Sequence, residues 1–125
     1  MTVIKDGGTY RFYYRGGTRG ANSIIKPGTE VTCYAESQDG KTWVKPKLGL
    51  VEFEGRKDNN IILGPTPLRT SCNFAAMLDD RPGVPPAERY KAVGAATARE
   101  EGLVRLVSPD GIHWKLWSDE IIFAG

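Results

Sequence analysis

The sequence predicts an all-β fold made of repeated antiparallel sheets, and three observations carry that prediction. The hairpin signature S-x-D-G-x-x-W occurs twice, as Ser37-Gln38-Asp39-Gly40-Lys41-Thr42-Trp43 and as Ser108-Pro109-Asp110-Gly111-Ile112-His113-Trp114. Each copy follows runs rich in β-branched and aromatic residues that alternate with period two. Among the 125 residues, 15 Gly and 8 Pro punctuate these runs, and both residue types set turns and break helices.

The elements follow in order. Asp6-Gly7-Gly8 is a turn signal, and Thr9 to Arg15 is a strand with Tyr10, Phe12 and Tyr14 on one face and Arg11, Tyr13 and Arg15 on the other. Gly16 to Gly20 is a loop. Val31 to Ser37 is a second strand, and Asp39-Gly40 joins it as a hairpin to Thr42-Trp43-Val44. Ile61-Ile62-Leu63 is a short buried strand inside an insert, with a loop at 64–72. Asn73 to Leu78 is an apolar strand, and Asp79 to Pro86 is an exposed loop because its prolines suit neither helix nor interior strand.

Then the first pattern returns. Arg89 to Ala95 and Gly102 to Ser108 pair as strands, Asp110-Gly111 makes the hairpin, and Ile112 to Lys115 is the third strand. The best helical window, Ala95 to Glu101, is short and lies between strands of one sheet, so helix content is expected to be close to nil. Blade-like units are placed at about 9–46 and 73–117, with residues 47–72 as an insert. Repetition of antiparallel sheets at this spacing is what a β-propeller produces.

In the repeated motif, Asp and Gly are expected to supply turn conformations with positive φ, the Ser hydroxyl can bond a turn amide and the Trp packs beneath the hairpin. Its aspartates, Asp39 and Asp110, are therefore read as structural. His113, without a second His or a Cys beside it, reads as a surface residue.

Composition narrows the classes. A formal charge of +2, spread along the chain, excludes a nucleic-acid footprint. No stretch approaches the roughly 20 apolar residues that span a bilayer. Residues 1 to 8 lack the apolar core of a signal peptide, so the chain carries no address and its compartment is unknown. Cys33 and Cys72 have no metal spacing and are expected as free, buried small hydrophobes, with a disulfide as the alternative. No triad, phosphate loop or zinc spacing is present, so no cofactor or metal is expected.

Candidate functional residues lie in and around the segment between the two copies. Asp79 follows an apolar strand and opens the Pro-rich loop, so its carboxylate should emerge at a strand end; its other reading is to order the turn with Asp80. Arg89 is expected to pair with Asp79 or Glu88 and to hold a pocket carboxylate ionised. Asn59 and Asn60 offer amides suited to sugar hydroxyls, or to a turn. Tyr13 and Trp117 could stack on sugar rings, with core packing the alternative for each.

The runs Tyr10 to Gly16, Cys33 to Trp43, Lys45 to Leu50, Asn59 to Ile61, Arg89 to Ala92 and Ser108 to Lys115 together resemble bacterial proteins related to the five-bladed β-propeller glycosidases of glycoside hydrolase families 32 and 43. The resemblance covers nearly the whole chain. It implies a partial propeller of about two blades, with Asp79 as a transition-state stabiliser in the loosely matching segment Leu78-Asp79-Asp80-Arg81-Pro82. It also implies carbohydrate as substrate or ligand.

Glycoside hydrolysis needs two carboxylates, roughly 5 to 10 Å apart, and the sequence offers one candidate. The chain is therefore expected to be an incomplete enzyme, a piece of a longer propeller, with self-association through unpaired blade edges. Two alternatives stand beside this: a non-catalytic propeller module binding carbohydrate or protein, and a small independent β-sandwich.

Overall fold

Among the described residues of the computed structural model (1–64, 73–95, 102–118 and 120–124), nine strands form two antiparallel sheets. Sheet 1 has the order β1 (Thr2–Asp6), β2 (Thr9–Gly16), β3 (Val31–Ser37), β4 (Ile61–Leu63). Sheet 2 runs β5 (Ala75–Leu78), β6 (Tyr90–Ala95), β7 (Gly102–Ser108), β8 (Lys115–Leu116), with β9 (Phe123–Ala124) also on β7. The only helical elements among these residues are two 3-10 turns, Ala21–Ser23 and Pro86–Glu88. Over the described residues the chain is all-β, and neither sheet closes on itself. The expected loop at 64–72 and the helical window at 95–101 lie almost wholly outside the described residues.

The two sheets repeat one plan. Tyr10 pairs with Ser37 in sheet 1 as Tyr90 pairs with Ser108 in sheet 2. Asp6 faces Thr9 across the β1–β2 hairpin, and the Asp79 amide donates to the Arg89 carbonyl at 2.8 Å. Asp6 and Asp79 are thus equivalent positions, as are Arg11 and Lys91. The last place in each sheet is filled by two segments. In sheet 1, Val44 bridges Glu36 and β4 pairs with Thr32 and Cys33; in sheet 2, β8 and β9 pair with opposite ends of β7.

Three local expectations change. Residues 2 to 6 form a strand, β1, that the turn signal alone did not reveal. The two Asp-Gly pairs do not make tight hairpins. The strand resumes only at Val44 and Lys115, because the intervening amides bond to Ser and Asp side chains. The run Ile121 to Gly125 reads from the sequence as the entry to a further blade, whereas Phe123–Ala124 within it form β9, which pairs with Gly102 and Leu103 of β7.

One core lies between the sheets. Ile4, Tyr13, Tyr34, Ile62 and Leu63 from sheet 1 meet Phe74, Ala76, Tyr90, Ala92, Leu106 and Trp114 on the sheet 2 side. Phe74 stands edge-on to Trp114 at 5.0 Å and tilted to Tyr13 at 5.7 Å. Such pairs add about 0.5–1.5 kcal/mol each beyond the area they bury. A satellite cluster on the other face of sheet 1 gathers Val31, Cys33 and Ile61 with Tyr14 of β2 beneath Val51 and Phe53 of the insert. Cys33 is a free, buried thiol; Cys72 lies outside the described residues.

The sheets do not present equivalent faces to each other. Alternation puts Arg11 and Tyr13 of β2 toward the core and Tyr10, Phe12 and Tyr14 away from it. In β6 the equivalent of Tyr10, namely Tyr90, points into the core with 0% exposure, and Lys91 points outward. Hence Trp114 is buried at 9% exposure, while its counterpart Trp43 is 36% exposed, its ring 5.5 Å from that of Phe12. The expectation that both tryptophans pack beneath their hairpins therefore holds in full only for the copy whose face another sheet covers.

Candidate functional site

The repeated loops are built by the same side chains. The Ser37 hydroxyl accepts the Gly40 amide at 2.9 Å, and Asp39 Oδ1 accepts the amides of Lys41 and Thr42 at 2.8 and 2.7 Å. Ser108 accepts the Gly111 amide at 2.9 Å, and Asp110 Oδ1 accepts those of Ile112 and His113 at 2.9 and 2.8 Å. These bonds, led by the Thr42 amide, hold Asp39 ionised down to about 2. Burial pushes the Asp110 carboxyl up, but the His113 amide and ring, the Ile112 amide and Ser108 outweigh it and leave it at about 2. Both aspartates are fully engaged in loop structure. His113 is exposed, its Nδ1 2.7 Å from Asp110 Oδ2.

Asp79 leaves the end of β5 with its side chain 4% exposed. Arg81 grips it as a fork, Nε to Oδ1 at 2.8 Å and Nη2 to Oδ2 at 2.7 Å, and Lys91 Nζ joins Oδ2. Arg81 first, then Lys91, hold the carboxyl well below the usual carboxylate range. It accepts protons poorly and has none to give at neutral pH.

Arg89 pairs with Asp6 of β1, at 2.8 Å from Nη1 and 2.6 Å from Nη2, and not with Asp79 or Glu88. The cause is local. Arg89 ends the 3-10 turn with helical φ −58 and ψ −35, so strand alternation starts only at Tyr90, and Lys91 is the cation delivered to Asp79. Tyr90 also donates its hydroxyl to Asp6. Arg89 first, then Tyr90, lower the Asp6 carboxyl to about 2 against the pull of burial.

Beside this pair, the Arg11 guanidinium lies 5.4 Å from the Tyr90 ring and 6.0 Å from the Tyr34 ring, and donates to Tyr34 Oη at 2.8 Å. Tyr34 in turn donates to Glu36 at 2.9 Å. Asp6 and Arg11 are functional-looking residues that sequence reasoning missed. The signal was the repeat itself, extended back by one strand. It was hidden because the Asp6–Tyr10 loop is short and the Asp79–Tyr90 loop long.

Asn59 and Asn60 serve their own chain. Asn59 Nδ2 donates to the carbonyls of Val51 and Arg56 at 2.8 and 3.0 Å, and its Oδ1 accepts the Ile61 amide at 3.0 Å. Asn60 Nδ2 donates to Tyr14 Oη at 2.8 Å and to the Tyr34 carbonyl at 2.6 Å. These bonds lash the insert to β3. The groove beside them, about 440 Å³, has Lys45, Lys47, Arg56 and Asp58 on its walls.

Of the two aromatics considered for stacking, Tyr13 is 1% exposed and locked in the core. Trp117 is 48% exposed. It lines an open groove of about 330 Å³ with Arg81, Pro82, Pro85, Glu88 and Lys91. The Arg105 guanidinium lies 4.6 Å from the Trp117 ring centre. Arg105 is itself held by Glu120 at 2.7 Å.

Among the described residues, no three His, Cys, Asp or Glu side chains are grouped to hold a metal ion, and no helix is long and apolar enough to cross a membrane. No protein-family model, curated protein or solved structure matches the chain.

Proposed function

We propose that this chain is a pair of propeller-type blades that binds carbohydrate without cleaving it, with the saccharide seated in the Trp117 groove. The observation that carries this reading is the exposed indole of Trp117 set among Arg81, Glu88 and Lys91. A sugar presents an apolar C–H face to an aromatic ring and a rim of hydroxyls to charged donors and acceptors. The Pro82 to Pro85 wall is stiff, so ordering it on binding costs little entropy. Blade character is supported by the two sheets repeating one plan and stacking through non-equivalent faces.

Binding is favoured over cleavage by the state of the carboxylates. A glycosidase needs one acid that still holds its proton beside a second carboxylate. Asp79 is capped by two cations and Asp6 by a cation and a phenol, so both stay ionised. Asp79 is then the post that fixes Arg81 and Lys91 at the groove. Hydrolysis stays as a second reading on one observation, the equivalence of Asp6 and Asp79 in successive sheets.

Calorimetric titration with a panel of neutral oligosaccharides tests the proposal. One or more should bind, and Trp117→Ala should weaken binding about tenfold or more with an unchanged melting temperature. Absence of binding across the panel, or binding indifferent to Trp117→Ala, overturns it. Release of reducing ends that Asp79→Asn abolishes would replace binding with catalysis.

A further inference from the structure

We infer that a second copy of this chain docks on the outer face of sheet 2 through the outer face of its own sheet 1. This would repeat, head to tail, the contact that the two sheets make within one chain. The inference is independent of the carbohydrate reading.

The argument starts from the faces. Within the chain, sheet 1 contributes Ile4, Arg11, Tyr13 and Tyr34 to the interface, and sheet 2 contributes Ala76, Tyr90, Ala92 and Trp114. By strand register, the equivalents of the first set in sheet 2 are Met77, Lys91, Val93 and Arg105, which point outward. The equivalents of the second set in sheet 1 are Val3, Tyr10, Phe12 and Trp43, which also point outward. Each free face therefore carries the positions that the other sheet's free face is built to meet. An interface of this heterologous kind is not satisfied by one contact; it propagates until a ring closes or a filament forms.

Exposed apolar side chains sit where this predicts. Val3 at 54% and Trp43 at 36% lie on the free face of sheet 1, and Met77 at 58% and Phe123 at 66% on that of sheet 2. The insert covers the β3–β4 half of the sheet 1 face, through Val51 and Phe53, and reaches Tyr14 of β2; it leaves the β1 half open, where Val3 is exposed. That open half is the one required, because within the chain the sheets meet along β1 and β5. Polar positions match as well. Asp79 stands where Asp6 stands, and Asp6 accepts the hydroxyl of Tyr90, whose equivalent is Tyr10. The Tyr10 of an incoming copy would bring its ring to Lys91, as Tyr90 does to Arg11, while Asp79 stays closed beneath Arg81 and Lys91.

The docking face includes Lys91 and so overlaps the Trp117 groove. Saccharide titrations belong at dilution, where the chain is monomeric, and a failure of one proposal leaves the other standing.

The test is sedimentation velocity over a concentration series, with one charge variant on each face. The native chain should show a mass that rises with concentration. Val3→Asp and Met77→Asp, both at exposed positions, should each weaken self-association about tenfold or more while keeping the native circular dichroism and melting temperature. An equimolar mixture of the two variants retains one intact face of each kind and should form a one-to-one dimer that grows no further. A native chain that stays monomeric throughout overturns the inference. So does a mixture that fails to pair, and so does either variant associating as tightly as the native chain.

Discussion

The Tyr13 hydroxyl donates a 2.9 Å hydrogen bond to the carbonyl of Gly111, a residue 98 positions further along the chain. The Trp114 indole donates to the same oxygen at 3.0 Å. One backbone carbonyl of the second loop thus accepts a donor from each sheet, and the loop becomes part of the interface.

Tyr13→Phe should cost about 1 kcal/mol, because it removes one hydrogen bond but leaves the carbonyl partnered by Trp114. Tyr13→Ala should cost about 3–5 kcal/mol, since it empties a site against Tyr34, Phe74 and Trp114. Urea unfolding monitored by circular dichroism reads both.

Gly40 and Gly111 hold the same place in the repeat, with φ of 74 and 77. A methyl group on Gly40 would find its nearest neighbour, the Tyr10 ring, at 3.7 Å, whereas on Gly111 it would meet Tyr13 Oη at 2.6 Å and Tyr90 at 3.1 Å. Gly40→Ala should cost about 1–2 kcal/mol for the left-handed backbone alone. Gly111→Ala should cost a further 1–3 kcal/mol or so for overpacking. Equal losses in thermal unfolding would contradict the asymmetry of the two faces.

The tryptophans should separate in the same way. Trp114→Ala should cost about 3–5 kcal/mol, and Trp43→Ala less, about 1–2 kcal/mol, as expected for a partly exposed ring beside Phe12.

Stability should fall in acid through a defined set of carboxylates. Asp6, Asp39 and Asp110 sit at about 2 in the folded chain against 3.8 for an unconstrained carboxyl. A carboxyl depressed by folding stabilises the native state above 3.8, and that contribution disappears as pH drops towards 2. Asp6→Asn should therefore lower stability at neutral pH and flatten the acid limb of the stability–pH curve. Sheet contact should weaken with it, because Arg89 and Tyr90 lose their shared partner.

Much of the fold was legible because alternation and turn chemistry are local. Val31–Ser37 and Ile61–Leu63 appear where their β-branched and apolar residues put them, and the Ser and Asp side chains of both loops act on amides two or three positions away. What escaped was set at long range. Thr2–Asp6 is strand because β2 and β5 lie beside it. Arg89 finds Asp6 across the sheet interface, and the unequal fates of Trp43 and Trp114 depend on which face a neighbouring sheet covers. The same holds at the candidate site: Asp79 was visible as a carboxylate at a strand end, but its capture by Arg81 and Lys91 required the β5–β6 register.

Cys33 offers a way to time one motion of this molecule. Its thiol lies under Val51 and Phe53, and burial pushes it up, so little thiolate forms while the insert is seated. A small alkylating reagent can reach it only when that cover lifts, so the adduct at Cys33, followed by mass spectrometry, accumulates at the pace of a single local opening event. The cysteine is in effect a clock for the insert, and it runs in the native chain without any added label.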